Sequence, residues 1–158
     1  MNFFYVNTDY VDFLRTYDAK VLLNKEADFQ RPYVGIITKI NDVKYLIPLC
    51  SPRGRFLKNK PQYHRILDGD NLLSVLKFNN MIPVCDEVVQ SIDFNSILDQ
   101  RYRILLQKEY QYIKSISNIV KEKAKRYVET IWNSCDFHRN ISNSFDLLEN
   151  ALKNFTGE

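Results

Sequence analysis

Two strand-like segments joined by two turn-forming residues constrain the fold of this chain more than any other feature. The first segment is YVGIITKI (33–40) and the second is VKYLIPLCS (43–51), with Asn41 and Asp42 between them. Both segments are rich in β-branched and aromatic residues, and the two residues between them favour a tight turn. The sequence therefore predicts a β-hairpin with a two-residue turn.

A two-residue turn also predicts which residues face each other across this hairpin, because it fixes the register. Without a bulge, the partners counted outwards from the turn are Ile40 with Val43, Gly35 with Pro48, Pro32 with Ser51, and Arg31 with Pro52. The open end of the hairpin is therefore expected to gather Arg31, Cys50, Ser51 and Arg53.

The rest of the chain predicts further strands followed by helices. We expect strands at residues 2–6 and 81–85, a helix at 9–17, a loop at 18–32, and a second hairpin whose strands, 64–67 and 72–78, flank the turn 68–71. Apolar residues at spacings of three and four predict two helices between residues 97 and 132, interrupted near 115–118, and a last helix at 144–155. Strands first and helices late are typical of an α+β fold, in which helices pack against an antiparallel sheet.

The positive charge of the chain is concentrated in residues 44–65, KYLIPLCSPRGRFLKNKPQYHR. This segment carries six Lys or Arg residues and no acidic residue. Because the whole chain has a formal charge of +3, the remainder of the chain carries −3. A local positive surplus beside aromatic residues is typical of a phosphate-binding, and hence nucleic-acid-binding, surface. The expected RNA-binding residues are Arg55, Lys58, Lys60, His64 and Arg65.

Composition excludes several classes of protein. At 158 residues, with 45% apolar residues, the chain is expected to form a single domain over residues 1–158. Three widely separated cysteines argue against a disulfide framework and indicate a reducing, cytoplasmic environment. No segment approaches the roughly 18 consecutive apolar residues of a membrane helix, so no membrane partner is expected. None of the four glycines lies in a nucleotide-binding pattern, so no cofactor is expected either.

The motif Cys50-Ser51-Pro52-Arg53 lies where a predicted strand ends and the basic segment continues. A hydroxyl and a thiol beside two guanidinium groups are suited to holding a phosphodiester, since arginine binds phosphate oxygens in a bidentate manner and offsets transition-state charge. An equally weighted interpretation is structural: the Ser-Pro pair ends the strand and Cys50 fills the core.

Other chemistry-bearing residues have simpler interpretations. His64 is the only histidine near the basic segment and imidazole is the usual proton carrier near neutral pH, but a lone histidine is more often a surface or packing residue. Cys135 and His138 form a CxxH pair without a second pair, so no metal site is expected. The basic run at residues 121–126 is more often a solvated helix face than an extension of an RNA groove.

The paired motif RPYVGII (31–37) and KYLIPLCSPR (44–53) resembles the ToxN/AbiQ family of bacterial type III toxins. The resemblance extends through the opening strand and first helix, the strand LKFNNMIPV (76–84) and the helical tail. It implies a twisted, barrel-like antiparallel sheet related to the MazF/Kid toxins, with helices packed against it. It also implies an endoribonuclease whose antitoxin is a small repetitive RNA.

The resemblance further implies metal-independent cleavage at A-rich sites, in which the RNA 2′-hydroxyl attacks the adjacent phosphorus and leaves a 2′,3′-cyclic phosphate and a 5′-hydroxyl. Ser51 matches the family's essential serine, and Arg53 matches the basic residue after the proline. Arg31 matches the basic residue before the first strand of the motif. Tyr10 matches the tyrosine of the first helix, and Cys50 replaces a common threonine. The expected catalytic residues are thus Ser51, Arg53, Arg31, Tyr10 and Cys50.

The expected partners also come from the resemblance. They are a repetitive antitoxin RNA with pseudoknot-like units, held with the toxin in a closed assembly, and cellular or phage RNA as substrate. Two alternatives remain at this point. One is a non-catalytic RNA-binding module with the same charge layout, and the other is a MazF-like nuclease controlled by a protein antitoxin.

Overall fold

The computed structural model describes residues 1–26, 29–35, 42–52 and 56–155. Within these ranges the strands are β1 (Phe3–Val6), β2 (Lys25–Glu26), β3 (Phe29–Gln30), β4 (Tyr33–Gly35), β5 (Lys44–Cys50), β6 (Tyr63–Asp68), β7 (Asn71–Lys77), β8 (Ile82–Val84) and β9 (Val89–Ser91). The α-helices are α1 (Thr8–Tyr17), α2 (Gln100–Ser115), α3 (Ser117–Arg126), α4 (Asp136–Ile141) and α5 (Phe145–Asn154). A π-helical turn, Tyr127–Ile131, extends α3.

Seven of these strands form one antiparallel sheet around β5. The order is β6-β7-β5-β4-β1-β9, and β8 also pairs with β5. One edge of β5 pairs with β4, while its other edge pairs with β8 at Lys44–Leu46 and with β7 at Leu49 and Cys50. Among the described residues β6 and β9 are the ends of this order and do not pair, so the sheet is twisted and open rather than closed. The predicted α+β fold with an antiparallel, barrel-like sheet is confirmed.

The predicted register of the first hairpin is wrong by two residues. Tyr33, rather than Gly35, faces Pro48, and Gly35 faces Leu46. Gly35 also packs against β1, where the ring of Phe4 covers it so closely that a Cβ atom there would lie 2.2 Å from a ring carbon. The predicted turn cannot be compared, since residues 36–41 lie outside the described residues. An even shift keeps every side chain on its predicted face of the sheet.

The shift also changes the predicted neighbour of Arg31. In the observed register this residue lies opposite Cys50 instead of Pro52, and the Leu49 amide donates to the Pro32 carbonyl at 3.0 Å. The open end of the hairpin therefore brings Arg31 directly beside the end of β5.

Most of the other predicted elements are confirmed. The second hairpin turns at Gly69 and Asp70, where Gly69 has the positive φ (+59°) that glycine adopts readily. The first helix is capped by Asn7, whose side chain accepts from the Tyr10 amide at 3.2 Å. The long helical region is interrupted at Ile116, as predicted. The sequence reasoning missed β9, α4, and the small β2–β3 pair within the expected loop at 18–32.

Helices cover both faces of the sheet, and alternate side chains of β5 distinguish the two layers. Tyr45, Ile47 and Leu49 pack in a core with side chains of α2 and α3. Leu46 packs on the opposite face with side chains of α1 and α5. Cys50 lies on that second face, in a smaller cluster with Phe56, Tyr63 and Val75. None of the helices in the described residues has the length and apolar character needed to span a membrane.

Candidate functional site

Arg31 is held firmly at the end of β5. Its Nη1 lies 3.1 Å from the Cys50 Sγ, its Nε donates to the Leu23 carbonyl at 2.9 Å, and its backbone amide donates to the Asn24 carbonyl at 2.6 Å. Only 8% of the residue is exposed. The guanidinium is therefore oriented before any ligand arrives, by a segment that the sequence predicted only as a loop.

Cys50 and Ser51 differ sharply in exposure although they are adjacent. Cys50 is buried and packs with Phe56 and Tyr63, whereas Ser51 is exposed just beyond the end of β5. Both interpretations of Cys50 therefore have support, since its thiol fills core space and also contacts Arg31. The exposed Ser51 hydroxyl lies one residue from the arginine–thiol pair. Arg53 and Arg55, both predicted site residues, lie outside the described residues.

Tyr10 is fully buried in the core that includes Tyr33 and Leu46. Its hydroxyl donates to the carbonyl of Pro83, which lies opposite Tyr45, five residues along β5 from Cys50. Burial raises the pKa of its phenol, and the nearby Cys85 and Tyr33 raise it further. The phenol is therefore protonated near neutral pH and acts as a hydrogen-bond donor rather than as a base.

Tyr33 is a residue that the sequence reasoning did not single out. It is fully buried, on the same face of the sheet as Arg31 and Cys50. Burial raises the pKa of its phenol and the Cys50 thiol adds to the rise, while the positive charge of Arg31 opposes it. Its hydroxyl has no hydrogen-bond partner within the described residues. The available signal was its position two residues after Arg31, which places both side chains on one strand face.

The basic loop between β5 and β6 is anchored by Arg65. The Arg65 Nη1 donates to the Leu57 carbonyl at 2.6 Å, and its backbone amide donates to the Asn59 side chain at 2.8 Å. Lys58 and Lys60 are exposed on the loop. Arg65 thus supports the loop, and the two lysines present charge to solvent.

His64 is separated from these residues. In the paired strands it aligns with Leu76 and Leu49, whereas Arg65 aligns with Val75 and Cys50, so the two side chains leave the sheet on opposite faces. His64 is only 7% exposed, and its Nδ1 lies 2.8 Å from the Lys123 Nζ. Burial and the charge of Lys123 lower the imidazole pKa to about 4. The structure therefore corrects the grouping of His64 with the RNA-binding loop and gives it a packing environment against α3.

Helix α3 lies on that same opposite face, since Val120 and Ala124 pack in the core that includes Leu49. The basic residues of α3 therefore do not extend the surface around Ser51. Across residues 1–26, 29–35, 42–52 and 56–155, no group of three or more His, Cys, Asp or Glu side chains is arranged to hold a metal ion.

An exposed serine that directly follows a thiol in contact with a fixed guanidinium, next to a lysine-bearing loop, is suited to phosphodiester chemistry on RNA. Comparison with known proteins identifies the family. Residues 2–153 match the family model described as toxin ToxN of type III toxin–antitoxin systems. The chain belongs to this family of endoribonuclease toxins, as its sequence motifs predicted.

Individual relatives and solved structures agree. The chain is 31% identical to endoribonuclease ToxN of Bacillus thuringiensis subsp. kurstaki, over 80% of this chain but 66% of that protein. It is 31% identical to endoribonuclease AbiQ of Lactococcus lactis subsp. lactis, over 94% of this chain and 86% of that protein.

Two solved structures resemble the fold with a TM-score of 0.84. One concerns a type III toxin selectively inhibited by a non-coding RNA pseudoknot. It is 30% identical, and the match covers 97% of the present chain and 96% of the chain in that structure. The other, 28% identical and covering 99% and 98%, is AbiQ, described as a lactococcal anti-phage endoribonuclease. The predicted class, an RNA-cleaving toxin with an α+β fold, is thereby confirmed.

Proposed function

We propose that residues 1–158 form a single domain that cleaves A-rich RNA without a metal ion. The 2′-oxygen forms a bond to the adjacent phosphorus while the bond from phosphorus to the 5′-oxygen breaks. The 2′-hydroxyl loses its proton and the departing 5′-oxygen gains one, so the products are a 2′,3′-cyclic phosphate and a 5′-hydroxyl. The observation that supports this proposal is the Arg31 guanidinium, which is fixed against Cys50 at the end of β5, with the exposed Ser51 as the next residue of the chain.

Each residue has a role in this proposal. Ser51 hydrogen-bonds at the 2′-hydroxyl or at the departing oxygen. Arg31 offsets the additional negative charge of the pentavalent transition state, and its prior orientation means that little reorganisation is needed. Arg53, which follows Ser51 by two residues, supplies a second cation. Cys50 keeps the guanidinium in place, since its sulfur lies 3.1 Å from Nη1.

The two buried tyrosines act through packing. The Tyr10 hydroxyl is bonded to the Pro83 carbonyl, near the other end of β5, so we assign this predicted catalytic residue a structural role. Tyr33 is fully buried close to Arg31 and Cys50, so we assign it support of this end of the sheet rather than contact with the substrate. Raised pKa values exclude both phenols as bases near neutral pH.

Proton transfer is therefore assigned to water or to substrate oxygens. The imidazole of His64 faces α3 on the other side of the sheet, away from Ser51. Rate acceleration then comes from alignment of the 2′-oxygen with the breaking bond and from charge stabilisation.

The proposed regulator is a small repetitive antitoxin RNA with pseudoknot-like units. A related toxin, 30% identical, is described as inhibited by a non-coding RNA pseudoknot. We propose that the present chain processes such an RNA and remains bound to it in a closed toxin–RNA assembly in the cytoplasm. The exposed Lys58 and Lys60 would contact its phosphates, and free toxin would cleave cellular or phage RNA.

The proposal is tested by incubating purified protein with A-rich RNA in EDTA and analysing the new ends. Cyclic phosphates that disappear in Ser51→Ala support it. Ser91→Ala is the matched control, because Ser91 is also exposed at a strand end, on β9, and should leave cleavage intact. Binding without scission would instead support a non-catalytic RNA-binding module, and cleavage by Ser51→Ala at the wild-type rate would refute the proposed site.

A further inference from the structure

A cavity of about 500 Å³ lies beside the candidate site, on the same face of the sheet. It is bounded by the segment after α1, the basic loop, the end of β7 with the 3-10 turn that follows (Phe78–Asn80), and α4. Three lysines from three of these elements line it, namely Lys20, Lys60 and Lys77. Its described lining contains no Asp or Glu.

Its lysines make the cavity electropositive. Of these lysines, Lys20 has a carboxylate nearby, since its Nζ lies 3.9 Å from the Asp18 Oδ2. Convergent ammonium groups favour an anion, and phosphate groups are the anions that an RNA-cleaving protein meets.

An exposed aromatic ring stands at the rim of the cavity. Phe137 lies on α4, lines the cavity and is 58% exposed, although burying a phenyl ring is favourable. In proteins that bind single-stranded RNA, such rings stack on unpaired bases. The ring therefore offers a flat apolar surface next to the lysines.

Amide groups complete the lining and include one unusual atom. Asn79 is only 6% exposed, and its Nδ2 donates to the Ile141 carbonyl at 2.7 Å. Its Oδ1 has no hydrogen-bond partner in the described part of the chain. Gln62 and Asn140 line the same cavity. Side-chain amides are suited to hydrogen-bonding the edge of a base, since each both donates and accepts.

Strand pairing places this cavity close to Ser51. Tyr63, which lines the cavity, packs with Cys50 in one cluster. Lys77 lies opposite Tyr63, two residues along β7 from Val75, which lies opposite Cys50. Two residues of a strand span about 7 Å, so Lys77 is roughly that far along the sheet from the Cys50 row.

We infer that this cavity binds one nucleotide of single-stranded RNA adjacent to the cleaved bond. The lysines contact its phosphate, the ring of Phe137 stacks on its base, and the amides contact the edge of that base. This inference rests on the proposed function and adds to it a subsite that selects extended, single-stranded substrates.

The test compares substrates of different length. One is a dinucleotide that contains only the cleavable bond, and the others are extended on the 5′ or the 3′ side. For the wild-type protein, extension on one side should raise kcat/KM. Phe137→Ala should lower the ratio of kcat/KM for extended over short substrate about tenfold, in line with the loss of one stacked base. Phe137→Tyr, which keeps the ring, should restore most of that ratio.

Charge is tested separately. Lys60→Gln should lower the same ratio and reduce by about one the slope of log affinity against log salt for the extended RNA. Matched controls lie elsewhere on the surface: Lys153→Gln removes an exposed lysine from α5, and Leu98→Ala removes a side chain that is 96% exposed. Both controls should keep the wild-type ratio and salt slope.

A binding measurement distinguishes this inference from the proposed function. In the Ser51→Ala background no cleavage is expected, so the ratio of affinity for the extended oligonucleotide to affinity for the dinucleotide measures binding in the cavity alone. If the wild-type protein cleaves nothing but Phe137→Ala still loses affinity for the extended RNA, the catalytic proposal fails and the subsite stands. If Phe137→Ala and Lys60→Gln match wild type in both cleavage ratio and affinity ratio, the subsite is refuted.

Discussion

Burial of His64 against α3 should make the folded protein sensitive to acid. The ordinary imidazole pKa is 6.5, and burial together with the charge of Lys123 lowers it to about 4 in the folded state. Between these two pH values the unfolded chain takes up a proton that the folded chain does not. Protonation therefore favours unfolding, and the free energy of unfolding falls as the pH drops below 6.5.

The size of this effect follows from the shift. One pKa unit corresponds to about 1.4 kcal/mol, so the loss grows by that amount per pH unit and levels off below pH 4. The complete loss of unfolding free energy is on the order of 3 kcal/mol. This is a large part of the total stability of a typical domain, which is roughly 5–15 kcal/mol. Near pH 7.5 both states are neutral at His64 and the effect is absent.

The variant His64→Gln tests this reasoning, because glutamine keeps an acceptor for the Lys123 ammonium but does not titrate. Urea unfolding gives the free energy of unfolding of the variant and of the wild type. It is measured at about pH 7.5, 6.5, 5.5 and 4.5, which cover the range between the two imidazole pKa values. The variant should lose less stability than wild type on acidification. His138→Gln, at the chain's other histidine, controls for removal of an imidazole elsewhere. Parallel pH profiles for wild type and His64→Gln would refute the assignment, since carboxylates titrate equally in both proteins.

Two further predictions concern the sheet near the site. Tyr33→Phe removes a buried hydroxyl that has no partner among the described residues, so the melting temperature should stay the same or rise, because an unsatisfied buried group costs about 1–3 kcal/mol. Cleavage should stay near the wild-type rate because this hydroxyl is not accessible to substrate, and a lower melting temperature would contradict the burial argument. Gly35→Ala should destabilise the protein by about 1–3 kcal/mol, because the new Cβ would lie 2.2 Å from the Phe4 ring. In urea unfolding, adding Phe4→Leu to this variant should recover part of the lost stability. An unchanged urea midpoint for Gly35→Ala alone would exclude the clash.

Features set by neighbouring residues were predictable from the sequence. The turn at Gly69 and Asp70 needs a residue that tolerates positive φ, and the start of α1 needs a capping oxygen, which Asn7 supplies. The meeting of Arg31 with the Cys50–Ser51 end was also predicted, because an even error in register leaves strand faces unchanged.

Features set by distant packing were not predictable. The close packing at Gly35 involves Phe4, which is thirty-one positions away and belongs to another strand. His64 and Arg65 are adjacent in the chain, and the pairing of β7 with both β5 and β6 is what decides which of them shares a face with Cys50. The β2–β3 pair and α4 are too short to show a periodic apolar pattern in the sequence. The contacts that position Arg31 and the location of Phe137 were therefore visible only in the structure.

The central position of β5 has a consequence for the timing of toxicity. One of its edges is covered by β4, which precedes it in the chain, and the other by β7 and β8, which follow it. A nascent polypeptide emerging from the ribosome is surrounded by RNA, yet it cannot complete both edges of this strand until residue 84 has left the exit tunnel. We therefore expect newly made toxin to be inert during most of its own translation and to become dangerous only once its template has been largely read.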